Sequence, residues 1–211
     1  IVDHYTYVIA GDGDNMEGIG YEAASLAGSL KLGKLIVLYD SNSITIEGST
    51  DLAFTEDVCK RYEAFGWQTL RVEDGNDIED IYAKIQEAKE NLSQPTLIEI
   101  RTEIGYGSPS KQGKNSAHGA PLGKEDLKGT KEYFNWTEEP FIVPDDVKEF
   151  MSELISKGKE ANEAWDEKFN EYKEKYPELA KEFEAWINLD LPMDLLESED
   201  FWGFEESLPT R

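Results

Sequence analysis

Short apolar runs alternate along the chain with stretches in which apolar and small residues recur every three or four positions. Tyr5-Thr6-Tyr7-Val8-Ile9-Ala10 is aromatic and β-branched and stops at Gly11-Asp12-Gly13, which reads as a buried strand entering a tight loop. From Glu17 to Leu32, the residues Ile19, Ala23, Leu26, Ala27 and Leu30 fall at helical spacing. Gly33 stands where such a helix wants a left-handed residue, and Gly20 and Gly28 permit close packing on a sheet. Leu35-Ile36-Val37-Leu38-Tyr39 is unbroken, the mark of a strand covered on both faces and therefore of a parallel sheet. The alternation continues with a helix from Glu56 to Phe65 closed by Gly66, a strand from Trp67 to Val72, a helix from Ile78 to Asn91 capped by Asn76 or Asp77, and a strand from Thr96 to Thr102. Strands alternating with helices predict an α/β fold with a doubly wound, mainly parallel sheet.

After Thr102 the pattern changes. Gly105-Tyr106-Gly107-Ser108-Pro109 and Asn115-Ser116-Ala117-His118-Gly119-Ala120-Pro121-Leu122-Gly123 form a long loop of the kind that is functional or disordered. Beyond Pro144 come charged helices, where Trp165, Phe169, Tyr172 and Tyr176 make one stripe before Pro177; packing is the plain explanation of such a stripe. The stretch from Asp194 to Arg211 is acidic and without period, and reads as a linker. The expected organisation is an α/β domain over 1–143, a C-terminal helical extension of it over 144–190, and a linker over 191–211. The chain opens on Ile1-Val2-Asp3-His4 without an initiator Met and reads as part of something longer.

Charge narrows the function. With 45 Asp and Glu against 21 Lys and Arg, a net charge of −24 argues against nucleic acid as a partner. No apolar run is long enough to span a membrane. The one cysteine, Cys59, has no internal partner and reads as a small core hydrophobe, which suits the reducing cytoplasm.

In an open parallel sheet, ligands sit outside the carboxyl ends of the strands. There Asp12 stands between two glycines, after a strand and before a helix, while Asp40-Ser41-Asn42-Ser43-Ile44 offers a carboxamide oxygen and backbone carbonyls. Hard oxygen donors of these kinds suit Mg²⁺ or Ca²⁺. An acidic protein repels a polyphosphate unless a bound cation reverses the local field, and three protein ligands on an octahedral Mg²⁺ leave room for two phosphate oxygens and a water. That arithmetic favours a diphosphate ligand. Gly11-Asp12-Gly13-Asp14-Asn15-Met16 lacks the third glycine of a dinucleotide-binding fingerprint.

Gly11-Asp12-Gly13, followed after twenty-eight intervening residues by Asn42, is similar to the thiamine-diphosphate motif that begins with Gly-Asp-Gly and ends with Asn. Longer segments are more specific: Asp3-His4-Tyr5-Thr6-Tyr7, Met16-Glu17-Gly18, Ser25-Leu26-Ala27-Gly28, Lys31-Leu32-Gly33-Lys34-Leu35, Ile104-Gly105-Tyr106-Gly107-Ser108 and His118-Gly119-Ala120-Pro121-Leu122-Gly123. Together they resemble transketolase, from Ile1 to about Tyr176, over the later part of the family's first domain.

The resemblance implies an incomplete thiamine-diphosphate-binding fold and transfer of a two-carbon ketol unit from a ketose phosphate to an aldose phosphate. Thiamine diphosphate and Mg²⁺, for which Ca²⁺ can substitute, are the implied cofactors. Asp12, Asn42 and the Ile44 carbonyl would hold the metal, and Gly11 and Gly13 would let the backbone approach the diphosphate. Ile46 and Ile104 would line the thiazolium ring. His118 would contact the diphosphate and handle protons. Glu17 and Glu22 would face the partner subunit of a homodimer and join its active sites. Asp14 is not expected to be a ligand, since adjacent residues point apart as a helix begins. Dihydroxyacetone and deoxyxylulose-phosphate synthases share Gly-Asp-Gly and Asn, but are expected to differ around His118-Gly119-Ala120-Pro121. The glutamate that activates the aminopyrimidine in the family has no counterpart here, so the chain alone is expected to be inactive. A non-catalytic α/β module is the competing expectation from another class.

Overall fold

The computed structural model describes residues 2–190, with 198, 199 and 203 beyond them. Residues 3–139 form one compact unit and residues 140 onward belong to a second. In the first, β1 (Thr6–Gly11), β2 (Leu35–Ser41), β5 (Gln68–Val72) and β6 (Thr96–Arg101) make a four-stranded sheet in the order β1-β2-β6-β5. Every pairing is parallel, so all four carboxyl ends emerge at one edge.

Strand geometry sends alternate side chains to opposite faces. Val37, Tyr39 and Leu97 pack with α1 (Gly18–Ser29) and α2 (Val58–Ala64) through Ala24, Ala27, Val58, Cys59 and Tyr62. Ile36, Ile98 and Ile100 pack on the other face with Ile81, Ile85 and Ala88 of α3 (Ile78–Glu90). Helices therefore cover both faces, and the sheet is doubly wound. Ile36, Leu97 and Ile98 are fully buried, each stabilising the fold by about 1.5–3 kcal/mol. Asp57 caps α2 and Asp77 caps α3, each accepting a backbone N–H three residues on.

The first strand departs from expectation. The run at Tyr5–Ala10 forms a strand, but among the described residues β1 is an edge of the sheet, and Ile9 is 79% exposed with Tyr7 and Val8 exposed beside it. An apolar run specifies extended structure, whereas its burial depends on which neighbours cover it. Helix α1 is inverted in the same sense: Ile19, Leu26 and Leu30 face outward, while the small residues Ala24 and Ala27 face the core. A Cβ at Gly28 would collide with the Phe65 carbonyl, so this glycine packs on the turn before β5 and not on the sheet. The left-handed residue after α1 is Lys31, with φ 53°; Gly33 instead lies against the backbone of Leu92, where no side chain fits.

Two elements had no sequence signal. A small antiparallel hairpin, β3 (Ile44–Thr45) and β4 (Gly48–Ser49), follows β2, and α4 (Lys124–Tyr133) follows the long loop. In the second unit, α5 (Asp145–Lys175) and α6 (Pro177–Asn188) meet through the aromatic stripe, where Phe169 lies 5.0 Å from Trp165 and 5.5 Å from Phe183 between ring centroids. The expected linker at 191–211 lies outside the described residues but for those three. No described helix is long and apolar enough to cross a membrane.

Candidate functional site

The carboxyl edge of the sheet holds a cleft of about 830 Å³. The loop after β1 brings Gly11, Asp12, Gly13 and Glu17 to it, the turn after β2 brings Asn42, Ile44 and Ile46, and the chain after β6 brings Ile104 and His118. Of the residues singled out from sequence, only Glu22 lies elsewhere, exposed on α1.

Asp12 is buried, and its carboxylate has three protein donors. The Tyr39 hydroxyl donates to Oδ1 at 2.5 Å, and the backbone N–H groups of Asn42 and Ser43 donate to Oδ2 at 3.2 and 2.8 Å. Burial, and then the bond to Asp12, push the Tyr39 phenol well above its ordinary pKa, so it remains a donor. Asn42 Oδ1 accepts from the Ile44 N–H at 2.9 Å, which folds the turn and leaves the amide oxygen a second lone pair. Ser43 completes the turn in the left-handed region at φ 62°. The Thr102 hydroxyl donates to Asp40 at the cleft floor. Asp14 is folded back, its Oδ2 accepting the Gly11 N–H at 2.8 Å.

The long loop is packed. Gly113 N–H donates to the Ile104 carbonyl, Lys111 Nζ to the Pro121 carbonyl, and Asp126 of α4 accepts from Ser108 and from both the N–H and hydroxyl of Ser110. These contacts fix the segment carrying His118, which stands exposed at the cleft beside Gly119 at φ 64°.

Asp12, Asp14, Glu17, Asp40, Glu47 and Glu103 line the cleft, with no Lys or Arg among its lining residues. A carboxylate, an amide oxygen and a backbone carbonyl on one such cleft are a donor set for a hard cation, and the residues present fit a Mg²⁺ or Ca²⁺ site. No cluster of three His, Cys, Asp or Glu that could hold a metal occurs among the described residues, so a cation here would draw on amide and backbone oxygens besides Asp12. Tyr39 is the polar residue that the sequence reading missed, because it was counted with the apolar run. A buried Tyr needs a partner for its hydroxyl, and that need was the available signal.

Fold and cleft together define a doubly wound α/β layer with an oxygen-donor site at the carboxyl edge of its strands. The family model described as transketolase, thiamine diphosphate binding domain, matches residues 1–192. The chain is 53% identical over 196 residues to a transketolase of Bacillus subtilis, covering 92% of this chain and 29% of that protein. It is 50% identical over 211 residues to transketolase 10 of Craterostigma plantagineum, covering 100% and 30%. The structure of a Pichia stipitis transketolase complexed with sedoheptulose-7-phosphate matches with a TM-score of 0.84 at 44% identity, over 92% of this chain and 29% of that one. A transketolase structure from Leishmania mexicana matches equally, at 0.84 and 43%, over 91% of this chain and 29% of that one. The chain belongs to the transketolase thiamine diphosphate binding domain family, and it spans about three tenths of the length of these relatives.

Proposed function

We propose that this chain grips the diphosphate end of thiamine diphosphate through a divalent cation, as one part of a transketolase that moves a two-carbon ketol unit between sugar phosphates. The observation that carries this reading is the gathering of Asp12, Asn42 and Ile44 on a cleft rich in carboxylates and free of Lys and Arg. Such a cleft repels a diphosphate until a cation intervenes. When bound, the cofactor supplies the reactive carbon centre. The chain's own residues do the rest of the holding. Asp12, Asn42 and the Ile44 carbonyl take Mg²⁺, with Ca²⁺ as an alternative, and Gly11 and Gly13 let the backbone come close. Ile46 and Ile104 offer an apolar wall, and His118 contacts the diphosphate and takes or gives a proton.

Glu17 and Glu22 lie on exposed surface at the start of α1 and are read as facing the partner subunit of a homodimer in the cytoplasm. The sugar phosphate in the Pichia stipitis structure supports that substrate class. The family match running to residue 192 supports counting 144–190 within the same domain, and 191–211 is read as linker.

Titration calorimetry of thiamine diphosphate into the 211-residue chain tests the reading, with Mg²⁺ and then with EDTA. Binding that requires Mg²⁺ and is lost in Asp12→Ala is expected. Equal binding under EDTA, or in the variant, overturns it.

A further inference from the structure

We infer that the outer face of α4 is an effector site for a small aromatic anion, a carboxylate or a phosphate ester, whose binding steadies the segment that carries His118. The inference goes beyond the cofactor reading and does not depend on it.

Helix α4 has two faces with different tasks. The inner face is taken up by the long loop. Besides the bonds from Ser108 and Ser110 to Asp126, Gly129 lies against Pro109, where no side chain fits, and Tyr133 and Phe134 pack on Gly107 and on the Tyr106 ring. The outer face carries Lys124, Leu127, Lys128 and Lys131 as one stripe, because residues three and four apart are neighbours on a helix. After Phe134 the chain turns back through Asn135, in the left-handed region at φ 52°, and the Trp136 N–H donates to the Lys131 carbonyl at 2.8 Å. That return sets Trp136 beside the stripe, and together they bound an open cleft of about 630 Å³.

Charge selects the occupant. Three Lys and one acid, Glu132, line this cleft, on a chain whose net charge is −24. Exposed charges more than about 8 Å away are largely screened at physiological ionic strength, so the local excess of cations outweighs the remote acids. Glu132 lies 3.9 Å from Lys128, and Lys131 donates one of its three N–H groups to the Glu138 carbonyl at 3.1 Å. Lys124 and the remaining donors are left for an anion. Leu127 and Trp136, 51% and 45% exposed, supply apolar surface that a ring would cover and remove from water. The size argues for a small molecule: a stable protein partner needs roughly 20–30 residues a side, whereas small-molecule sites run to about 300–1,000 Å³.

The same helix links the two faces. The cleft exists only while α4 is formed and Trp136 is folded back, and the Ser110 N–H has its acceptor, Asp126, only while α4 is docked on the loop. A ligand of the outer face therefore opposes every opening that unfolds α4, and the segment from Ser108 to His118 is steadied with it.

The test is a backbone-amide NMR titration of the 211-residue chain with naphthalene-2-carboxylate, with 2-naphthyl phosphate and with the neutral naphthalene-2-carboxamide. Shifts concentrated at 124–137 are expected for an anion, with the carboxamide several-fold weaker; the tighter of the two anions separates a carboxylate source from a phosphate one. Affinity is expected to fall roughly fivefold in the double variant Lys124→Gln, Lys128→Gln, the scale of two exposed ion pairs. Trp136→Ala, which removes an exposed ring, is expected to weaken the anions as well. At ten times Kd, hydrogen exchange at the Ser110 N–H is expected to slow about tenfold. Equal binding of the carboxamide, shifts centred on β1 or α5, no binding of either anion, or an unaltered affinity in both variants overturns the site. Binding at α4 that leaves Ser110 exchange unchanged overturns the effector role.

Discussion

Arg101, the last residue of β6, donates from its guanidinium to the Ser43 hydroxyl at 3.1 Å and to the Ser41 hydroxyl at 3.0 Å, bridging the turn on both sides of Asn42. Ser43 holds a left-handed backbone that costs a non-glycine residue about 1–2 kcal/mol, so the turn needs such outside support. Arg101→Ala is expected to weaken Mg²⁺-dependent thiamine diphosphate binding about three- to tenfold, with little change in Tm because Arg101 is itself exposed. Calorimetry beside a thermal melt separates the two. An unaltered Kd would mean that the two N–H bonds to Asp12 hold the turn unaided.

Removing Asp12 has a structural effect apart from the cation. Asp12→Ala strands the buried Tyr39 hydroxyl and the half-buried N–H groups of Asn42 and Ser43. The expected loss is about 1–3 kcal/mol of stability without any added metal. Denaturant unfolding in EDTA measures it, and a variant as stable as wild type would mean that water replaces all three contacts.

Cys59 is buried on the core face of α2 and its thiol donates to Glu99 at 3.3 Å. Burial is the main cause that lifts its pKa from 9.0 to about 12, and the negative Glu99 adds to it while Arg71 opposes. A group whose folded pKa is raised contributes stability that is complete below the unfolded value and is lost as pH climbs through the folded one. Stability is thus expected to fall from pH 9 towards about 12. Tyr39 and Tyr62, also raised by burial, add their losses from pH 10 upward. In Cys59→Ala the onset of the decline is expected to move up by about one pH unit, towards the 10.0 of the tyrosines. Thiol labelling at pH 8 should proceed only as fast as the protein opens.

Asp126 ties α4 to the loop that carries His118. Hydrogen bonds from the Ser110 and Ser108 hydroxyls and the Ser110 N–H hold its carboxyl below the ordinary 3.8, so its contribution is complete above that pH and is lost as pH falls below it. Asp126→Ala is expected to speed amide hydrogen exchange at Ser110 and across 103–123 while leaving the sheet protected. Unchanged exchange in the loop would show that the bonds at Gly113 and Lys111 suffice.

The 211-residue chain alone, given thiamine diphosphate, Mg²⁺ and sugar phosphates, is expected to transfer no ketol unit above the buffer rate. It spans about three tenths of its relatives, and one gripped end of a cofactor lacks the positioning that supplies most of a rate enhancement. In a protein spanning the relatives' full length, His118→Ala is expected to lower turnover more than it weakens cofactor binding. Turnover by the purified chain, or equal activity in the variant, would reject the respective expectation.

Sequence reading reached the four strands of the parallel sheet and most helices because their signals are local: β-branched runs, the cap before Ile78 and Gly66 at φ 86°. It placed Asp12 and Asn42 at one edge because parallel topology puts every strand's carboxyl end there, whereas His118 came from the family resemblance alone. What escaped it depends on through-space neighbours. The exposure of Ile9, the contact of Gly33 with Leu92 and the aim of the Tyr39 hydroxyl at Asp12 are each decided by a segment distant in sequence. Helix α4 escaped for another reason: Lys124-Glu125-Asp126-Leu127-Lys128 has too little apolar period to announce a buried face, and the helix buries none of its residues.

The strand order has a kinetic consequence. β6 is the last strand of the sheet to leave the ribosome, yet it lies between β2 and β5, pairing with both. Until Thr96–Arg101 emerges, β5 has no partner in the sheet, and the turn at Asn42 lacks Arg101. A nascent chain stopped short of β6 therefore presents two unsatisfied ladders to its surroundings, and the cleft forms only after that final insertion.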